Sequence, residues 1–198
     1  MAGDGRVVIL NGASSAGKTA IATSFRDRRA ADGDLWVLIG IDDYLSKLPV
    51  EWLDLGLPGG PGAQASDGLC LRPAADGLVL HVGPVCRRLL RAYYGAVAAV
   101  ARAGLNVLVD EVVVDETAWH DWQAALGGLS VVWVGIRCSL EVAEARERRR
   151  GDRPQGMTRA QVSTVHEHAR YDVEIDTTEL TPGQAGDEFA WHMQRLGR

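Results

Sequence analysis

The chain has 198 residues, 46% of them apolar and 24% charged, with a formal net charge of −5 at pH 7. That length and composition fit one soluble globular domain with a substantial core, and the acidic balance argues against a dedicated nucleic-acid binder, which carries a basic surface. No apolar run approaches the ~20 residues of a membrane span, and residues 1–6 lack the regions of a signal peptide, so the expected compartment is cytoplasmic, with no membrane partner. Cys70, Cys86 and Cys138 are odd in number and widely spaced, which suits reduced structural thiols better than disulfides or a metal site.

The β-branched run at 6–11 predicts a first, doubly covered strand, and 18 to about 28 predicts a helix. Between them lies Gly12-x-x-x-x-Gly17-Lys18-Thr19, the phosphate-loop pattern, in the strand–loop–helix setting its chemistry requires. Small residues let successive backbone N–H groups of Gly12, Ala13, Ser14, Ser15, Ala16 and Gly17 face phosphate oxygens, and the helix N-terminus adds positive potential. Lys18 is expected to reach the terminal phosphates and the Thr19 hydroxyl to ligate Mg²⁺. A plain glycine turn is the alternative, and the flanking elements weigh against it.

Residues 35–41 predict a second buried strand ending in Asp42-Asp43. Ligands of open parallel sheets sit beyond the carboxyl ends of strands, so one of these acids is a catalytic candidate while the other caps a short helix at 44–48. Segment 49–83 is rich in glycine and proline, with a hairpin pattern of 69–72 against 78–82. A long insertion directly after the strand-end acids reads as a wall or lid over an acceptor site, with an unstructured loop as the alternative. His81 in the hairpin reads as a surface residue.

Pro84 opens a helix that Gly104 stops. Residues 106–110 form the third strand, whose terminal Asp110 has the Walker-B form and would hold Mg²⁺ directly or through water, with Glu111 able to share that role. Asp115 or Thr117 caps a helix to about 126 that carries Trp119 and Trp122, core residues by type. Residues 131–137 form the fourth strand, followed by a helix from Ser139 to about 149. Arg146, Arg148, Arg149, Arg150 and Arg153 gather at its end. Guanidinium groups bind phosphate bidentately, so one or two of these arginines fit a phosphate clamp, the rest being solvated or complementing the helix terminus. Thr158-x-x-Gln161 reads as a capping box opening a helix to about 169, on which His166 and His168 face different ways. A fifth strand spans 171–176, and a second capping box, Thr181-Pro182-Gly183-Gln184, opens the terminal helix.

Strands alternating with helices predict an α/β, three-layer P-loop kinase fold in one domain over 1–198. A five-stranded parallel sheet is flanked by helices, with an Arg-rich lid at 146–157 and the hairpin insertion at 49–83. Within that class the chain resembles the chloramphenicol phosphotransferase-like proteins. The likeness rests on residues 9–19, on Gly40-Ile41-Asp42, on Ala101-Arg102-Ala103-Gly104, and on 132–138. It continues in Arg150-Gly151-Asp152-Arg153, Val165-His166-Glu167 and 171–178. The resemblance implies ATP- and Mg²⁺-dependent phosphorylation of a hydroxyl on a small molecule, an antibiotic such as chloramphenicol first among them. It makes Asp42 the base, with Lys18, Arg150 and Arg153 stabilising the transferring group. The chain departs from the chloramphenicol enzyme in segment 49–83, at Asp43 and Tyr44, and at Glu111, where that enzyme has Asp. Competing readings are a nucleoside or nucleotide kinase, whose base would stack on Tyr44, Trp52 or Trp119, a nucleotide-sugar kinase, and a non-catalytic ATP-sensing module.

Overall fold

The computed structural model describes residues 3–56, 61–74, 77–150, 156–162 and 164–197. The first strand, β1 (Val7–Asn11), is wholly buried and leads through the phosphate loop into α1 (Lys18–Ala31). β2 (Trp36–Gly40) and α2 (Ile41–Leu45) follow. The insertion supplies β3 (Leu53–Asp54), β4 (Leu69–Ala74) and β5 (Gly77–Val82). Then come α3 (Pro84–Arg102), β6 (Asn106–Glu111), α4 (Glu116–Ala125), β7 (Val131–Arg137) and α5 (Leu140–Arg150). The chain closes with α6 (Met157–Val162), β8 (Val173–Asp176) and α7 (Pro182–Arg195).

Five strands form one parallel sheet in the order β2-β6-β1-β7-β8, which puts β1 and its loop at the centre. Alternate side chains of each strand go to opposite faces, so the sheet has two cores. Val7, Ile9, Val107 and Val109 pack with Leu90, Tyr93, Val97 and Trp122 of α3 and α4. Val8, Leu10, Leu108 and Val134 pack with Ile21, Phe25, Phe189 and Met193 of α1 and α7. This is the expected three-layer α/β architecture. The insertion makes a separate three-stranded sheet, β3 parallel to β4 and β4 antiparallel to β5. Among the described residues no helix is long and apolar enough to cross a membrane.

Two local expectations are corrected. The second strand stops at Gly40, and Asp42 and Asp43 lie in the first turn of α2 rather than before a helix at 44–48. The cause is a reverse cap: the Gly40 N–H donates to Asp43 Oδ2 at 2.8 Å, which starts the helix three residues early. The helix expected from Thr158 to about 169 is only Met157–Val162, and the two capping-box residues, Thr158 and Gln161, lie inside it, not at its cap. Their side chains are engaged elsewhere, on the phosphate loop.

Candidate active site

The phosphate loop joins a buried strand to a helix, and its backbone is shaped for that. Gly12 sits against β7, where a Cβ would come 2.4 Å from the Ile136 carbonyl oxygen, so no side chain fits there. Ser15 and Gly17 have φ of 62° and 101°. Left-handed residues within such a turn direct successive N–H groups into one concavity, an anion nest. The first-turn N–H groups of α1 have no intrahelical partner and add to it.

Lys18 is almost wholly buried, with its Nζ donating to the Ala13 carbonyl at 2.9 Å and standing 3.7 Å from Asp110 Oδ1. Register explains the second contact: Leu10 pairs with Asp110 across β1 and β6, so the end of β6 lies beside the loop. The Thr19 hydroxyl donates to Asp110 Oδ2. Hydroxyl and carboxylate thus converge beside the lysine as hard oxygen donors, a set that suits Mg²⁺. Glu111 does not join them. One residue on, it points to the opposite face, wholly buried, and accepts from the Val112 N–H at 2.7 Å and from Trp122 Nε1 at 3.1 Å. Burial pushes its carboxyl up to about 8, which keeps it largely protonated at neutral pH. Among the described residues, no three His, Cys, Asp or Glu side chains are grouped to cage a metal.

A cavity of about 910 Å³ opens over the loop. Because β1 is central, elements on either side contribute different walls. On the β7–β8 side, Val142, Arg146, Thr177, Leu180 and Pro182 line it. Arg146 is fixed there, its guanidinium donating to Thr177 Oγ1 at 3.1 Å and to the Thr177 carbonyl at 2.8 Å. On the β2–β6 side stand Asp42 and Ser46, then an apolar wall that includes Leu53, Leu69, Leu80 and Val114. The insertion expected to wall an acceptor site supplies Leu53, Leu55, Leu69, Leu80 and Val82 of it.

The cavity therefore brings together Lys18, Thr19, Asp42, Asp110 and Arg150 of the sequence-predicted residues, with Ser14, Ser15 and Gly17 of the loop. Gly12, Ala13 and Ala16 are buried beneath it and hold the loop's shape. Arg149 lines it as well. Arg153, with part of the expected lid, lies outside the described residues. Tyr44, Trp52 and Trp119 are not among its described lining residues. Tyr44 instead packs on Tyr93 with ring centroids 4.7 Å apart, and Trp119 on Trp133 at 4.5 Å.

Sequence reasoning missed Asn11. Its Nδ2 donates to the Val165 carbonyl and to Tyr171 Oη, both at 2.7 Å, and its Oδ1 accepts the Val113 N–H at 2.8 Å. It ties the loops after β6 and α6 to the end of β1. An amide closing an otherwise apolar buried strand was the available signal, since a buried amide needs partners.

The model of one protein family, described as chloramphenicol phosphotransferase-like protein, matches residues 5–194. A Mycobacterium tuberculosis protein provisionally named an O-phosphotransferase is 36% identical over 175 residues, 88% of this chain and 76% of that protein. Solved structures of similar fold include a sugar kinase from Janibacter, with TM-score 0.66 and 18% identity over 96% of this chain and 95% of that one. The M. tuberculosis APS kinase in complex with AMPPNP and APS has TM-score 0.65 and 15% identity over 97% and 99%. A gluconokinase from Sinorhizobium meliloti has TM-score 0.62 and 17% identity over 98% and 93%. At these identities the structures establish the fold.

Proposed function

Since the chain belongs to the chloramphenicol phosphotransferase-like family and has the family and fold of a phosphotransferase, we propose that it transfers the γ-phosphoryl group of ATP to a hydroxyl of a small uncharged molecule. The observation that carries this reading is Asp42 on one wall of the cavity whose floor is the phosphate loop. A module that only sensed ATP would have no use for a carboxylate there.

The acceptor hydroxyl lies against Asp42, which takes its proton as the oxygen–phosphorus bond forms. The bond from phosphorus to the bridging oxygen breaks, and ADP leaves with that oxygen. Lys18 and Arg150 offset charge on the transferring group, and Arg146, held by Thr177, flanks the nucleoside. Thr19 and Asp110 would hold Mg²⁺, which neutralises phosphate charge when bound. Positioning and charge stabilisation supply most of the acceleration, with the base contributing about 10²–10⁴.

The acceptor side selects the substrate class. Its leucines and valines favour an apolar body, and no Lys or Arg of the described residues stands on that wall to meet a carboxylate, sulfate or phosphate. An antibiotic alcohol fits, chloramphenicol being the first candidate, and phosphorylating it would confer resistance. Nucleosides fit less well, since Tyr44 and Trp119, which would stack a base, are committed to ring packing elsewhere, and Trp52 is not among the lining residues. The test is incubation with ATP, Mg²⁺ and a panel of hydroxylated antibiotics and nucleosides, with products identified by mass spectrometry. Addition of one phosphate to an apolar alcohol is expected. ATP binding with no transfer to any member would favour the sensing module instead.

A further inference from the structure

The segment that sequence reads as a capping box holds the phosphate loop, and it engages the Ser14 N–H that was expected to face phosphate. The Ser14 N–H donates to Gln161 Oε1 at 2.6 Å. The Thr158 hydroxyl shares its proton between Glu147 Oε1 at 2.9 Å and the Ser14 carbonyl at 3.3 Å. Both backbone polar groups of one loop residue are thus gripped by α6. Glu147, buried on α5, also accepts the Gly156 N–H at 3.0 Å and the Thr158 N–H at 2.8 Å. The start of α6 is therefore pinned back to α5.

Two features make this grip matter for the reaction. Ser15, the next residue, is a non-glycine at φ 62°. Such a conformation persists only where its surroundings over-determine it. In addition, Lys18 Nζ, the group that reaches toward the terminal phosphates, rests on the carbonyl of Ala13, the residue before Ser14. Whatever sets Ser14 sets both the nest and the lysine head.

We propose that Gln161 and Thr158 are positioning residues that shape the terminal-phosphate half of the loop, so that preference for a triphosphate over a diphosphate is imposed from α6. Thr158 is not among the residues lining the cavity, and Gln161 reaches its edge with the amide oxygen held on the Ser14 N–H. The inner phosphates meet the first-turn N–H groups of α1, which this grip does not hold directly, so their binding responds to it less than that of the terminal phosphate. This rests on the ATP-dependent reading above.

The test compares binding of a non-hydrolysable ATP analogue and of ADP, each with Mg²⁺, by titration calorimetry. Gln161→Leu and Thr158→Val should weaken the analogue about tenfold, the equivalent of one lost hydrogen bond, and ADP by less than about threefold on the same scale. Thr158→Ser should restore the wild-type ratio. Equal weakening of both nucleotides, as a general loosening would give, overturns the proposal, as does no weakening of either. Wild-type protein binding neither nucleotide would instead refute ATP use itself. Amide exchange gives a readout without variants. The Ser14 N–H of the nucleotide-free protein should be protected, and exchange at the rate of an open loop overturns the proposal.

Discussion

Asp42 and Asp43 are adjacent carboxylates with different work. Asp43 is spent on the Gly40 N–H, while Asp42 lines the cavity. Asp42→Asn keeps the side-chain shape and removes the carboxylate proposed to accept the proton. It should leave nucleotide affinity within about twofold and lower kcat by about 10²–10⁴, the usual contribution of a general base. Steady-state kinetics with calorimetry checks both, and an unchanged kcat would remove Asp42 as the base. His166 offers a prediction of a different kind. Its Nδ1 lies 2.7 Å from Tyr171 Oη, and burial pushes its pKa down from 6.5 to about 4. Above pH 6.5 the imidazole is neutral folded or unfolded and costs nothing. Below that, the unfolded chain takes up a proton that the folded one refuses, so stability falls as pH drops from about 6.5 toward 4. Urea midpoints across that range should decline less steeply in His166→Asn than in the wild type. Parallel slopes would show that the decline comes from other groups.

At the scale of elements, what was legible in the sequence was local. β7 spans the residues its apolar run marks, and the phosphate loop stands where its glycines and strand put it. Asp115 and Thr181 cap α4 and α7 as their types suggest. What sequence could not show depends on partners far along the chain. β3 is two residues long and exists only because it pairs with β4. Thr158 and Gln161 have the spacing of a capping box, yet Glu147 and Ser14 outcompete the helix terminus for them. The same contrast holds within the site. Lys18, Thr19 and Asp110 come from short motifs, while Gln161, Thr158 and Asn11 act across more than 100 residues of chain, as with Asn11 and Val113 at a separation of 102. The Thr181 cap gives the element-scale prediction. Its Oγ1 accepts the Gln184 N–H at 3.3 Å, and Gln184 Oε1 accepts the Thr181 N–H at 2.9 Å. Thr181→Ala loses the first bond, and with it the hydroxyl's own donation to Gln184 Oε1 at 2.9 Å, and should cost about 1 kcal/mol. In a chain of this size that is a fall in Tm of about 2–4 °C, measurable by thermal denaturation, and no fall would mean that water replaces the cap at no cost.

At the scale of the whole molecule, the central position of β1 gives one cavity two different walls. Under the function proposed above, the β7–β8 side would serve the nucleotide, and the insertion and α2 the acceptor. This separation predicts that the two affinities can be changed independently, except where the walls meet. Leu80 of β5 is such a meeting point. It lines the apolar wall, and it also borders a small space of about 50 Å³ shared with Ala160 and Gln161 of α6. Leu80→Ala removes apolar surface from the acceptor side, a loss of about 1–3 kcal/mol for a few methylenes in a substrate pocket. The KM for the acceptor should therefore rise about 10- to 100-fold. The KM for ATP should shift in the same direction but by less than about threefold, because Gln161 keeps its bond to Ser14 while losing one neighbour. A rise confined to ATP would place the acceptor elsewhere in the cavity. Equal rises for both substrates would mean that β5 acts on the phosphate loop through α6 as strongly as it acts on the acceptor, joining the two halves of the cavity into one site.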